Sequence, residues 1–195
     1  MVTGREFAEC ALLPEWERFT YNQLDCQAFV EAVLKKVGVK KPDGTAYNWR
    51  GSNSMFRNYY TWRGTKAEAI KKYGDVPIGA FVYVWQETGE EQQGYKDGRG
   101  NAKHVGIYCG NNVVRDSTRY KDSTGNYVRD GVGTTTLKNF SRVTLFVGLD
   151  YKQKASYTAT VEDCMSIIDK IRNKIADTKD LLTDLEGKIY DITRG

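Results

Sequence analysis

YNQLDCQAFVEAVLKKVGV, residues Tyr21 to Val39, sets the frame for the chain. Phe29, Val30, Val33, Leu34 and Val37 recur at helical spacing, Lys35 and Lys36 fall in the last turn, and Gly38 stands where a C-terminal cap belongs. Asp25 occupies the N-cap position just before the pattern, so the spacing predicts a helix whose first residue is Cys26. A second stretch, HVGIYCGNNVVRDS (His104 to Ser117), reads as two strands joined by a three-residue loop at Gly110, Asn111 and Asn112.

Outward from these two stretches, Lys66 to Tyr73 reads as a short helix closed by Gly74, and Ala80 to Trp85 and Thr144 to Leu149 as further strands. Lys40 to Gly64 holds Trp49, Tyr59, Tyr60 and Trp62 without a steady period and reads as loops with short helical pieces. Glu87 to Lys103 and Tyr120 to Gly133 read as loops. Helices first and antiparallel strands afterwards predict an α+β domain.

The tail changes character. Val161, Cys164, Ile168, Ile171, Ile175, Thr178, Leu182, Leu185, Ile189 and Ile192 follow alternating steps of 3 and 4, an a/d heptad repeat. That strict period predicts a C-terminal coiled coil, a domain division into residues 1–155 and 156–195, and a homo-oligomer formed through residues 161–192. Isoleucine at both a and d leans toward three or more strands, while Cys164 and Thr178 interrupt the rule.

Composition narrows the function classes. No stretch approaches the roughly 20 apolar residues that a membrane span needs, and Met1 to Leu13 lacks the basic and apolar regions of a signal peptide. The four cysteines are scattered, and a single histidine leaves too few soft ligands for a zinc site, so neither metal nor cofactor is expected. The net charge of +4 divides into +6 before Ser156 and −2 from there on, but Lys and Arg are dispersed and no nucleic-acid-binding signature is present.

Thiolate chemistry needs a cysteine favoured as its anion, a base within reach, and a group that orients the base. Cys26, in the first turn of a helix, lies at the positive end of the helix dipole. Cys109 lies within a strand, Cys164 in the heptad seam, and Cys10 in a segment with nothing to activate it. His104 is the only histidine, hence the only imidazole base available, and Gly106 beside it leaves space on the same strand face. If Cys109 pairs with Val113, Gly106 lies opposite Asp116, and Asp116 becomes the diagonal neighbour of His104 on one face. A two-residue turn would instead send Asp116 to the other face, leaving Ser117 or Asn112 as the orienting group.

These residues resemble the NlpC-type cell-wall cysteine peptidases, which are papain-like and related to CHAP amidases. Tyr21 to Val39 looks like that family's nucleophile helix, and His104 to Ser117 like its histidine strand and the strand after it. GDVPIGAFVYVW (Gly74 to Trp85) is similar to the preceding strand, and GVGTTTLKNFSRVTLFVGLDY (Gly131 to Tyr151) to the closing segment of phage-type members. The resemblance spans about Pro14 to Tyr151 and implies a papain-like domain, its nucleophile helix packed on an antiparallel sheet. It also implies a cofactor-free endopeptidase or amidase acting on peptidoglycan stem peptides or cross-links. Cys26 would be nucleophile, His104 base, and Asp116 the third polar residue. Tyr21 and Asp25 match positions that contact the free amino end of the substrate, Gln27 stands where the family usually has Ser, and Ser52, Asn53 and Arg57 fall in a cleft-lining loop. A wall hydrolase without a leader fits a phage or prophage product, carried on the virion or released at lysis. Two further readings are a catalytically silent, coil-oligomerised wall-binding or virion structural protein, and an acyltransferase or deamidase using the same cysteine and histidine.

Overall fold

A computed structural model of the chain describes residues 1–87, 98–151, 168–169, 171–172, 174–179 and 181–182, which fall in two compact units, Met1–Lys152 and Gln153–Gly195. In the first unit the strands β1 Tyr60–Thr65, β2 Phe81–Gln86, β3 Asn101–Gly110, β4 Val113–Lys121, β5 Tyr127–Thr136 and β6 Arg142–Phe146 form one sheet in the order β1-β6-β2-β3-β4-β5. Each paired neighbour is antiparallel. Helices α1 Gly4–Ala11, α2 Cys26–Lys36, α3 Ser52–Arg57 and α4 Lys66–Tyr73 complete an α+β architecture.

Strand periodicity splits the core in two. Phe81, Tyr83, Val105 and Ile107 point into a cluster with Phe7 of α1 and Phe29, Val30, Val33 and Leu34 of α2. Val82, Tyr108, Val114 and Val143 join Ala69 of α4 and Phe140 in the other. Burying each large apolar side chain contributes about 2 kcal/mol, and this packing fixes α2 against the sheet.

The start of α2 is as its sequence requires. Asp25 Oδ1 accepts the Ala28 N–H at 2.8 Å and Cys26 is the first helical residue. At the other end Gly38, with φ of 77°, turns the chain away. Just upstream, the Ser117 hydroxyl donates to the Leu24 carbonyl at 2.5 Å, fastening the entry to α2 onto β4.

The hairpin between β3 and β4 departs from expectation in an instructive way. Its loop has two residues, Asn111 and Asn112, both left-handed with φ of 48° and 63°, where the sequence suggested three. Gly110 pairs with Val113, and the register shifts between Tyr108 and Gly110, leaving Cys109 as an extra residue. The bulge restores the anticipated alignment, so Tyr108 faces Val114 and Ile107 faces Arg115. A Cβ on Gly106 would lie only 3.1 Å from Asp116 Cβ, so the two strands meet closely at this point.

Two stretches read as loops contain strands. All of β1 but its last residue, Thr65, lies within Lys40 to Gly64, and the first part of β5 lies within Tyr120 to Gly133. Both are edge strands and little buried, so neither carries the apolar alternation that betrays an inner strand. Of the expected loop Glu87 to Lys103, residues 101–103 belong to β3, and residues 88–97 lie outside the described residues.

In the second unit, residues 168–169, 171–172, 174–179 and 181–182 are helical. Ile168, Ile171, Ile175 and Leu182 are 46 %, 53 %, 63 % and 56 % exposed in the single chain. The heptad positions Val161, Cys164, Leu185, Ile189 and Ile192 lie outside the described residues.

Gly131 on β5, with φ of 125°, sits where a Cβ would run into the Phe19 carbonyl oxygen, on the segment leading to Tyr21. Gly131→Ala is expected to lower the unfolding free energy by about 2 kcal/mol or more. Gly125→Ala, also at positive φ but with open space around it, should cost only about 1 kcal/mol of backbone strain. Urea unfolding of both variants measures the difference.

Candidate active site

Three elements converge on one point. Helix α2 presents Cys26 at its N-terminus, 8 % exposed. Strand β3 carries His104, and β4 carries Asp116, 2 % exposed. The His104 Nε2 and Asp116 Oδ2 atoms are 2.6 Å apart, which leaves Nδ1 as the ring nitrogen on the other side of the imidazole, and Cys26 is close enough to act on the ring's protonation. The structure thus bonds His104 to Asp116 and brings Cys26 near enough to influence the ring. Of the two fallback orienters, Ser117 is spent on the Leu24 carbonyl, and Asn112 sits in the hairpin turn.

Burial of the His104 ring opposes its protonation, but the hydrogen bonds and negative charges of Asp116 and Cys26 outweigh it, and the imidazole pKa is pushed up to about 9. At neutral pH the ring is therefore a cation beside the sulfur. Burial pushes the Cys109 thiol up to about 12 and raises that of Cys10, so both stay protonated.

Asp116 has a second cationic partner that the sequence did not announce. Arg129 of β5 donates from Nη2 to Asp116 Oδ1 at 2.8 Å and to the Asp116 carbonyl. Its Nε donates to the Gly131 carbonyl at 3.2 Å, and a Cβ on Gly133 would come within 2.8 Å of that Nε. Glycine at 133 therefore makes room for the guanidinium. One carboxylate oxygen serves His104 and the other serves Arg129, so the carboxyl group cannot turn without breaking a charged contact. The only sequence signal was an Arg between Val128 and Asp130 in a stretch that read as a loop.

The remaining sequence-derived site residues divide into two groups. Tyr21 belongs at the centre, where burial, then the negative charges of Cys26 and Asp25, push the pKa of its hydroxyl up to about 12. Its ring lies under the Arg119 guanidinium at 5.5 Å. Asp25 acts as the cap of α2. Gln27 is a latch: its Nε2 donates to Glu31 Oε1 at 2.8 Å and to the Trp49 carbonyl at 2.7 Å, while its Oε1 accepts the Gly51 N–H at 2.5 Å.

Ser52 and Asn53 are buried and anchor α3 to the start of β3. The Ser52 hydroxyl donates to the Ala102 carbonyl, and the Asn53 amide spans Asn101 Oδ1 at 2.6 Å and the Ala102 N–H at 2.7 Å. Arg57 holds Asn53 Oδ1 at 2.9 Å and the Gly100 carbonyl at 3.1 Å. These hydrogen bonds thus reach the start of β3 and the residue before it, two to four residues ahead of His104.

Among the described residues, no group of three His, Cys, Asp or Glu side chains is placed to hold a metal ion, and no helix is long and apolar enough to cross a membrane. No protein-family model matches the chain, and no curated protein matches it. What the site does has to be argued from its own chemistry.

Because His104 is the sole histidine, its ring resonances report the site without ambiguity. Their titration midpoint is expected near 9 in the native chain. It should fall toward the ordinary value of about 6.5 in Asp116→Asn, which removes the partner that holds the proton. It should also fall in Arg129→Gln, which frees the Asp116 carboxylate to turn away, and recover in part in Arg129→Lys. NMR titration of the imidazole measures all four.

Proposed function

We propose that the chain is a cysteine hydrolase that cleaves amide bonds in peptidoglycan stem peptides or cross-links, with Cys26 as nucleophile, His104 as acid and base, and Asp116 as the group that orients the imidazole. The observation that carries this reading is the His104 ring, bonded to a buried carboxylate at 2.6 Å and influenced by a nearby cysteine at a helix N-terminus. The peptidoglycan substrate, the papain-like type of fold and the phage or prophage origin rest on the resemblance of the Tyr21–Val39 and His104–Ser117 stretches to NlpC-type peptidases.

The cycle balances as follows. The Cys26 thiolate attacks the scissile carbonyl carbon, and the oxyanion is met by backbone N–H groups at the start of α2. The His104 imidazolium gives its proton to the leaving nitrogen as the C–N bond breaks, leaving an acyl thioester on Cys26. Neutral His104 then takes a proton from water, whose oxygen attacks the thioester, and the carboxyl product departs as the ion pair is restored. Asp116 keeps Nε2 engaged throughout, so the ring cannot rotate away from the sulfur.

Oligomerisation through the tail belongs to the same proposal. Ile168, Ile171, Ile175 and Leu182 lie on one heptad seam and are more than two-fifths exposed in the single chain, an arrangement that association with other copies would cover.

Digestion of purified cell walls followed by muropeptide analysis tests the activity. New amino and carboxyl ends are expected with the native chain, and Cys26→Ala should lose at least about three orders of magnitude in rate while keeping its fold. The rate should fall above pH of about 9, roughly tenfold per unit, because the imidazolium that protonates the leaving group is the form lost there. Ile171→Lys together with Ile175→Lys should shift the sedimenting species to monomer in analytical ultracentrifugation.

A further inference from the structure

A cavity of about 440 Å³ whose lining does not include Cys26 is lined by four arginines, Arg57, Arg63, Arg99 and Arg142. Glu68 is the one carboxylate in that lining. It is committed as the cap of α4, its Oε2 accepting the Thr65 N–H at 2.7 Å and the Thr65 hydroxyl at 2.9 Å. Arg142 also pairs with Glu87 at 2.5 Å, a side chain that is 72 % exposed at the rim.

Two of the guanidiniums are held by aromatic rings. Arg63 lies 4.7 Å from the centroid of Tyr60 and 5.1 Å from that of Phe56, and Arg142 lies 5.0 Å from that of Trp85. Stacking restrains a guanidinium through its faces and leaves the N–H groups at its edge, on Arg142 those not given to Glu87, available to an acceptor. Arg57, by contrast, braces α3 against Gly100, so it contributes charge more than a free fork. Collecting this many like charges around one space raises the local potential and favours an anion there. A single carboxylate is satisfied by one arginine fork. A tetrahedral phosphate, as monoester or diester, offers acceptor oxygens in different directions and suits two arginines on different strands, β1 and β6.

We propose that this cavity binds a phosphate group, with Arg63 and Arg142 gripping its oxygens and Arg57 and Arg99 supplying further positive charge. The phosphate is carried either on a polymer of phosphodiesters or on a small phosphoester. Trp85, in the cavity wall, pairs with Ala102, two residues before His104. A bound phosphate would therefore sit beside the strand that carries the proposed base, yet it requires no chemistry at Cys26.

Isothermal titration of the full-length chain with inorganic phosphate, pyrophosphate, an oligo(glycerol phosphate) and malonate tests this. Saturable binding of phosphate and pyrophosphate is expected, with shifts of the Arg63 and Arg142 Nε–H resonances. Arg63→Gln with Arg142→Gln should weaken it about a hundredfold, roughly tenfold for each charge-assisted contact. Arg63→Lys, which keeps the charge and loses the fork, should fall between. Lys35→Gln with Lys138→Gln, outside the cavity lining, should leave it unchanged, as should Cys26→Ala. Much tighter binding of the oligomer identifies the polymer as the source, and equal binding identifies the small ester. Absence of saturable binding at millimolar phosphate would overturn the site, as would malonate binding as tightly as phosphate. So would equal weakening by the lysine variant, and since the native-chain resonances report the contact directly, poor folding of an arginine variant would not leave the question open.

Discussion

A buried carboxylate with two cations is the constraint on which the rest of the site depends. Left alone at 2 % exposure, the Asp116 charge would cost several kcal/mol. It is tolerated because His104 takes one oxygen at 2.6 Å and Arg129 the other at 2.8 Å. The same contacts that make the charge affordable fix its orientation, and that orientation keeps the imidazole protonated beside the Cys26 sulfur.

The surrounding structure brings these groups together from far apart in sequence. Packing of Phe29, Val30, Val33 and Leu34 against the sheet seats α2, and Asp25 sets its first residue. Ser117 ties the entry to α2 onto the strand that carries Asp116, so Cys26 and Asp116 share one anchor. Gln27 extends the same economy in the other direction: its amide fastens α2 to the Trp49–Gly51 loop, and from there Ser52 and Asn53 lock α3 onto the start of β3. Gln27, Ser52 and Asn53, which the family resemblance places near substrate, are in this chain engaged in hydrogen bonds that join α2, α3 and β3.

Much of this was legible in the sequence where the local signals are strong. Helix α2 had an apolar stripe, a cap and a terminal glycine, and Lys66 to Tyr73 had a closing glycine at 74. Cys26 and His104 could be named because one helix start and one imidazole left few alternatives. Asp116 was reached through a three-residue loop that does not exist: the loop has two residues, and the bulge at Cys109 compensates. The alignment was right because two departures from the simple hairpin cancel. Strands β1 and β5 were missed because edge strands need no apolar alternation, and Arg129 was missed with β5. An arginine whose partner lies 13 residues upstream on a neighbouring strand has no signature in local pattern; only the sheet register reveals it.

The central claim is that this geometry holds Cys26 as a reactive thiolate, and iodoacetamide labelling with mass-spectrometric mapping at neutral pH tests it most directly. Cys26 is expected to be modified much faster than Cys10 or Cys109, and more slowly once Asp116→Asn removes the support of its imidazole. Labelling of Cys26 no faster than of Cys109 would contradict the account.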